Sequence, residues 1–373
     1  MRKHAQLRQT TLLVELTVVL LFAVGCGTGH TKSAPTTTYA YVLSSIYTSA
    51  PSNTSAVIDQ FKMGSDGTLI PLTAATVPVA DAAQSGVAVD PTGHYLFTYG
   101  GWSFGGAPIH QFVIGSDGTL TPNSVPSISN GSYPISFTFS PNGRFAIVPS
   151  ADGTITSYSL DPSGSLTLIN TLPCPIVGAS AVFDPTGTFV YVGGSGLIIE
   201  FTISSNGVLS PGVTYYTALG GALTLAPQGF LYSSGQADSQ SALGEFTINQ
   251  SNGGLSIVDT FPGSWSQVVF NPAGTYAYVN NGLIISAFKA DPGTGALTSN
   301  GPNASTDNLT IYSITVDPSG QFLFEAGDLY TGGETYQPEV IPVSINPDGT
   351  LGPMNSVSLA DNVVPVAVAF ASR

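Results

Sequence analysis

Few side chains in this 373-residue protein could carry proton-transfer or covalent chemistry. The stretch AGDLYTGGETYQPE, residues 326–339, reads as a loop and gathers Asp328, Glu334 and Glu339. A carboxylate partly shielded from water can serve as a general base, which makes Asp328 and Glu334 the candidate catalytic residues. Hydrolysis would also need a donor or cation to stabilise an oxyanion, and the chain holds only 8 Lys+Arg and 4 His. His4 and His30 lie near the N-terminus, His94 follows a Pro-x-Gly turn, and His110 sits in an alternating apolar run. A Ser-His-Asp arrangement has little to draw on. The 2 cysteines, Cys26 and Cys174, support neither a disulfide framework nor a cysteine metal site. No metal and no cofactor is expected.

A second set of residues suits recognition rather than catalysis. Trp102, Tyr133, Trp265, Tyr312 and Tyr330 fall in irregular stretches that also hold acids and almost no cations. Exposed rings beside carboxylates suit a glycan, a peptide or another small ligand. For a single ring, packing of a loop on the scaffold is sufficient explanation. The group together points to a binding face.

The elements that position these residues are legible from a repeat. GSDGTL occurs twice, at 64–69 and 115–120, and five degenerate relatives follow. The leucines of the seven copies are Leu69, Leu120, Leu166, Leu209, Leu255, Leu297 and Leu351, about 47 residues apart on average. Each copy follows a run such as IHQFVI or LGEFTI, whose alternation predicts a half-buried strand. A second motif interleaves: DPTGHYLF, SPNGRFAIV, DPTGTFVYV, APQGFLYS, NPAGTYAYV and DPSGQFLF. Proline sets the first turn dihedral, glycine supplies positive φ, and Asp or Asn bonds its own backbone. A Ca²⁺ loop is the alternative reading of these turns, but they lack the spaced oxygen ligands that the ion requires.

Each unit therefore reads strand A, Pro-x-Gly turn, strand B, loop, strand C, Gly turn, strand D. The terminal VPVAVAFAS resembles a strand A without its B, and TTTYAYVLSS a strand B without its A. Joining them completes a seventh unit. The fold class is all-β, a seven-bladed β-propeller over residues 38–373 with four antiparallel strands per blade. Both repeated turns then share one regular face. The B–C loops and D–A connections share the opposite, irregular face, which holds the candidate binding rings.

The paired signature, a Pro-x-Gly turn after strand A and a DGTL-like turn after strand C, resembles the 6-phosphogluconolactonase-type lactonase family of seven-bladed propellers. The resemblance implies the fold and, as an activity, opening of a sugar lactone. It also implies a histidine five residues before the turn proline in one or more blades, with arginines and a glutamate beside the channel mouth. Here that slot holds Gly86, Ser136, Ser180, Ala222, Gln267, Ser313 and Ala367, none of them histidine.

The N-terminus carries Arg2, Lys3 and Arg8, then the apolar TLLVELTVVLLFAVG ending at Cys26. That pattern reads as a secretory signal over residues 1–25. Ala23-Val24-Gly25-Cys26 resembles a lipobox, which makes Cys26 an acylated anchor and 26–37 a polar tether. An ordinary cleaved signal is the alternative. A cell-envelope location facing the periplasm or the cell surface follows, with the membrane reached through the anchor. Without residues 1–25 the chain keeps 5 Lys+Arg against 21 Asp+Glu, a net of −16. Such a surface disfavours nucleic acid. A monomer is expected. Three functions remain open on this reading: a binding or scaffolding module, a lactonase-like hydrolase, and a structural envelope protein.

Overall fold

In each blade of the computed structural model, an aromatic ring at the start of strand B lies against the glycine of the next blade's C–D turn. Tyr39 meets Gly118, Tyr95 meets Gly164, Phe145 meets Gly207 and Phe189 meets Gly253. Phe230 meets Gly295, Tyr276 meets Gly349, and Phe322 of blade 7 meets Gly67 of blade 1. The last pair closes the circle. A Cβ at Gly118 would lie 2.1 Å from the Tyr39 ring, and φ there is +81°. Glycine thus serves twice, for the left-handed turn and for the close approach. Beneath the rings, Tyr41 Oη donates to Gly118 O at 2.8 Å and Tyr191 Oη to Gly253 O at 2.6 Å.

The structure describes residues 36–46, 55–79, 84–100, 108–129, 133–176, 180–237, 240–302, 309–332, 335–354, 357–359 and 363–373. Among them the chain forms seven antiparallel sheets with four strand positions each, six of them in sequence order, and no helix. This is the seven-bladed β-propeller that the repeat predicts. Blade 1 is the spliced one: Val363–Ser372 supplies strand A and pairs with Thr38–Ile46, Tyr39 opposite Ala371 and Val42 opposite Val368. In blade 7 the outer position holds Leu351–Met354 and Val357–Ser358, both paired with Thr335–Ile345. The signal segment, the tether and Cys26 lie outside the described residues.

The apolar core is divided rather than central. Seven clusters occur, one in each wedge between neighbouring blades; the cluster of Phe97, Ile109, Phe137, Val148 and Tyr158 fills the wedge between blades 2 and 3. Inner strands are therefore buried on both faces, as at Phe145–Ser150, while outer strands such as Leu69–Val79 are mostly exposed. The half-buried reading of strand C needs correction for the same reason. Ile109–Ile114 is buried on both faces, His110 and Gln111 included. Its Gln111 faces the next blade, not water, and bridges to it, as Gln60 does from blade 1. Gln60 Oε1 accepts from Leu120 N at 2.6 Å and Gln111 Oε1 from Leu166 N at 2.9 Å.

The turn aspartates are consumed by their own loops, as the turn reading predicts. Asp184 Oδ1 accepts from Thr188 N and Phe189 N at 2.8 and 2.7 Å, and Oδ2 from Thr186 N and Oγ1. Hydrogen bonds from Thr119 hold the Asp117 carboxyl below the usual carboxylate range.

Ring docking predicts an asymmetry among glycines. Gly118→Ala combines backbone strain with ring overlap and is expected to destabilise the fold by about 2–4 kcal/mol. Gly282→Ala, at φ +96° with open space around it, is expected to cost about 1 kcal/mol. Equilibrium denaturation of both variants checks this; equal losses would remove the docking account.

Candidate functional site

The channel end nearest the regular face opens into a cavity of about 740 Å³, lined by strands A of blades 3 to 7. Its polar lining is Thr138, Ser180, Thr224, Gln267 and Thr315, set among Phe139, Phe183, Val269 and Phe270. The one ionisable lining group is Asp184, whose oxygens the A–B turn already fills. The slot in which the family resemblance places histidine has another use here. Ser136 Oγ accepts from Ala181 N at 3.2 Å and Ser180 Oγ from Leu223 N at 2.6 Å. Gln267 exchanges two bonds with the Ile314 backbone, at 3.0 and 2.8 Å. These side chains tie blade to blade, and the channel is left without a base or a cation among the described residues.

Two sequence candidates come together at the irregular end of blade 7. Asp328 sits near the end of strand B, Phe322–Gly332, and Tyr312 in strand A, Leu309–Val316. The register shifts between Ile311 and Ser313, and this irregularity turns Tyr312 so that its Oη donates to Asp328 Oδ2 at 3.0 Å. Asp328 is 7% exposed and Tyr312 48%. Burial pushes the Asp328 carboxyl above its usual range, and the Tyr312 bond opposes that shift. Tyr330, 40% exposed, lies two residues on along the same strand face. Reading 326–339 as a loop needs correction, since Phe322–Gly332 and Thr335–Ile345 pair as one long hairpin. Glu339 is thereby buried opposite Gly327.

The other candidates are not brought to this place. Trp265 Nε1 donates to Phe261 O at 3.3 Å, and its ring stands edge-on to Phe288 with centroids 5.9 Å apart. It packs the wedge between blades 5 and 6. Tyr133 is half-buried, and its carbonyl accepts from Ala151 N at 2.8 Å. Trp102 and Glu334 lie outside the described residues. No group of three or more His, Cys, Asp or Glu that could hold a metal occurs among the described residues.

Three buried glutamates escaped sequence reasoning. Glu200 accepts from Tyr215 Oη at 3.0 Å. Glu245 is 0% exposed, both its oxygens lack a hydrogen-bond donor, and Asp259 pairs opposite it. Glu325 is buried with Oε2 likewise unbonded. Burial pushes Glu245 up to about 7, with a further push from Asp259, and burial alone takes Glu325 to about 7. Glu200 and Glu245 occupy the strand-C position that Gln60 and Gln111 hold in blades 1 and 2. That equivalence was the available signal.

Known structures share the architecture. A candidate 6-phosphogluconolactonase from Bacteroides fragilis superposes with a TM-score of 0.66 at 18% identity, over 90% of this chain and 98% of that one. A protein from Lactobacillus plantarum gives 0.67 at 16%, over 90% and 99%. A functionally unknown protein from Desulfotomaculum acetoxidans gives 0.66 at 12%, over 89% and 98%. No family model and no curated protein matches the chain. At these identities the likeness establishes the propeller fold.

The buried glutamates set a pH dependence. Their folded-state affinity for a proton exceeds that of the unfolded chain, whose glutamates titrate near 4.5. Their stabilising contribution is thus full below that value and is lost as pH rises through about 7. The melting temperature is expected to fall between about pH 5 and pH 8, and less steeply in Glu245→Gln and Glu325→Gln. Scanning calorimetry across that range checks it; an unchanged slope in both variants contradicts it.

Proposed function

We propose that this propeller is a binding module for an uncharged, polyhydroxylated ligand of the sugar type, received at the irregular end of blade 7. The observation that carries the reading is the Tyr312–Asp328 pair. A half-exposed ring is held in place by a bond to a largely buried carboxylate, with Tyr330 beside it. Rings offer flat apolar faces to the C–H side of a sugar, and a carboxylate accepts from its hydroxyls. No cation accompanies them among the described residues of strands A and B of blade 7, so a phosphorylated ligand has no counter-charge there. Binding rather than turnover is the reading because no paired base and oxyanion donor occur at this place among the described residues. The likeness to a candidate 6-phosphogluconolactonase keeps sugar lactones in view as a ligand class.

The module is placed at the cell envelope, held to a membrane through acylated Cys26. The test of that placement is separate. Cys26→Ala is expected to move the protein from the membrane fraction to the soluble fraction; unchanged fractionation contradicts the anchor.

For the site, a glycan array followed by calorimetry should find a neutral sugar. Its affinity is expected to drop about tenfold or more in Tyr312→Ala and in Asp328→Asn. An array without neutral-sugar hits, or hits indifferent to both variants, overturns the reading. Turnover of a simple sugar lactone, lost in Asp328→Asn, would favour the hydrolase instead.

A further inference from the structure

On the regular face, blades 2 and 3 enclose a groove of about 500 Å³. Asp90, His94 and Tyr95 line it from blade 2, and Arg144, Asp161 and Pro162 from blade 3. Its base is rigid, because the Tyr95 ring rests on Gly164 and its Oη donates to Pro162 O at 2.7 Å. It joins a histidine and an arginine in a chain with few of either.

Most acceptors in this groove are committed to their own turns, whereas the Arg144 guanidinium is not. Asp90 Oδ1 accepts from His94 N and Tyr95 N, both at 2.7 Å, and Oδ2 from Thr92 N and Thr92 Oγ1. Asp161 Oδ1 accepts from Ser163 N, Ser163 Oγ and Ser165 N at 2.8, 2.6 and 2.9 Å. Those bonds hold its carboxyl below the usual range and commit Oδ1 to its own loop, while Oδ2 makes no bond among the described residues. Thr92 gives its hydroxyl hydrogen to Asp90, so its 2.9 Å contact with His94 Nδ1 requires Nδ1 to be the donor. That leaves Nε2 as the uncommitted ring nitrogen. The Arg144 guanidinium lies 5.2 Å from the Phe145 ring centroid. It makes no ion pair among the described residues, and its fork of donors is open.

The propeller supplies its own control. The equivalent groove between blades 6 and 7, about 430 Å³, has the same frame in Tyr276, Gly320 and Pro347. There Gln321 replaces Arg144 and Asn346 replaces Asp161, while Thr275 stands at the turn position of His94. Of these two grooves, the one between blades 2 and 3 carries the cationic donors and the other has none among its lining residues.

We propose that the groove between blades 2 and 3 binds a small ligand through a carboxylate or phosphate group. Arg144 takes two of its oxygens in a fork, and His94 donates to it from Nε2 when protonated. The volume suits a small molecule, and Tyr95 presents a fixed aromatic wall to the rest of it. With a formal net charge of −14 the protein repels anions at long range, so recognition depends on these short charge-assisted bonds.

The purified full chain is titrated separately with inorganic phosphate and with succinate, by calorimetry. Saturable binding at one site, with a Kd of about 1 mM or tighter for either probe, is expected. Binding of one probe alone supports the proposal and identifies the group recognised. Arg144→Gln and His94→Thr, which copy the neutral groove, should each weaken binding about tenfold while leaving the melting temperature unchanged. The double variant Thr275→His, Gln321→Arg should gain a second site. Absence of saturable binding of both probes, or binding unaltered by Arg144→Gln, overturns the proposal. This result is independent of the sugar array, which reads the opposite face.

Discussion

The docking of an aromatic ring on a turn glycine of the next blade is the constraint on which the remaining structure depends. A side chain larger than hydrogen at Gly118 or Gly164 would enter the ring of Tyr39 or Tyr95. The approach draws neighbouring blades together at their outer corner on the regular face, and the apolar wedges fill behind it. Because every blade is both donor and recipient of a ring, the arrangement is satisfied only by a closed circle. Phe322 on Gly67 and the pairing of Thr38–Ile46 with Val363–Ser372 complete it from the two ends of the chain.

The same constraint governs where chemistry can occur. A wedge between blades excludes water, so polar groups inside it must bond across the wedge or be penalised. Gln60, Gln111, Ser136, Ser180 and Gln267 bond across. Both oxygens of Glu245 and Oε2 of Glu325 find no donor among the described residues, and burial raises the proton affinity of both groups instead. The channel is thereby built from side chains already engaged in holding blades together. The two candidate sites lie instead at margins of the ring: the irregular end of blade 7 and the groove holding His94 and Arg144.

Blade number, ring closure and turn chemistry were legible in the chain because they rest on local backbone rules. A Pro-x-Gly turn after a β-branched run carries its geometry within a few residues. The second role of the same glycines was not legible, since its partner ring lies in the preceding blade; Tyr39 and Gly118 are 79 positions apart. The polar positions of strand C looked like a solvent face because alternation does not distinguish water from a neighbouring blade. Residues 326–339 read as a loop from their glycines, but cross-strand pairing carried Asp328 and Glu339 into a hairpin. Of the proposed binding rings, Trp265 serves packing, and Tyr312 was joined to Asp328 by a register shift that no spacing rule announces. His94 was passed over because it follows a turn on the face with the least variation.

A double-mutant cycle between Tyr39 and Gly118 tests the docking constraint most directly. If the ring resting on the glycine is what limits the turn, Gly118→Ala should be much less damaging once Tyr39→Ala has removed the ring. Only the penalty for a left-handed alanine should remain, giving a coupling energy of about 1 kcal/mol or more by equilibrium denaturation. Additive losses, with no coupling beyond about 0.3–0.5 kcal/mol, would contradict the account and leave the glycine as a turn residue alone.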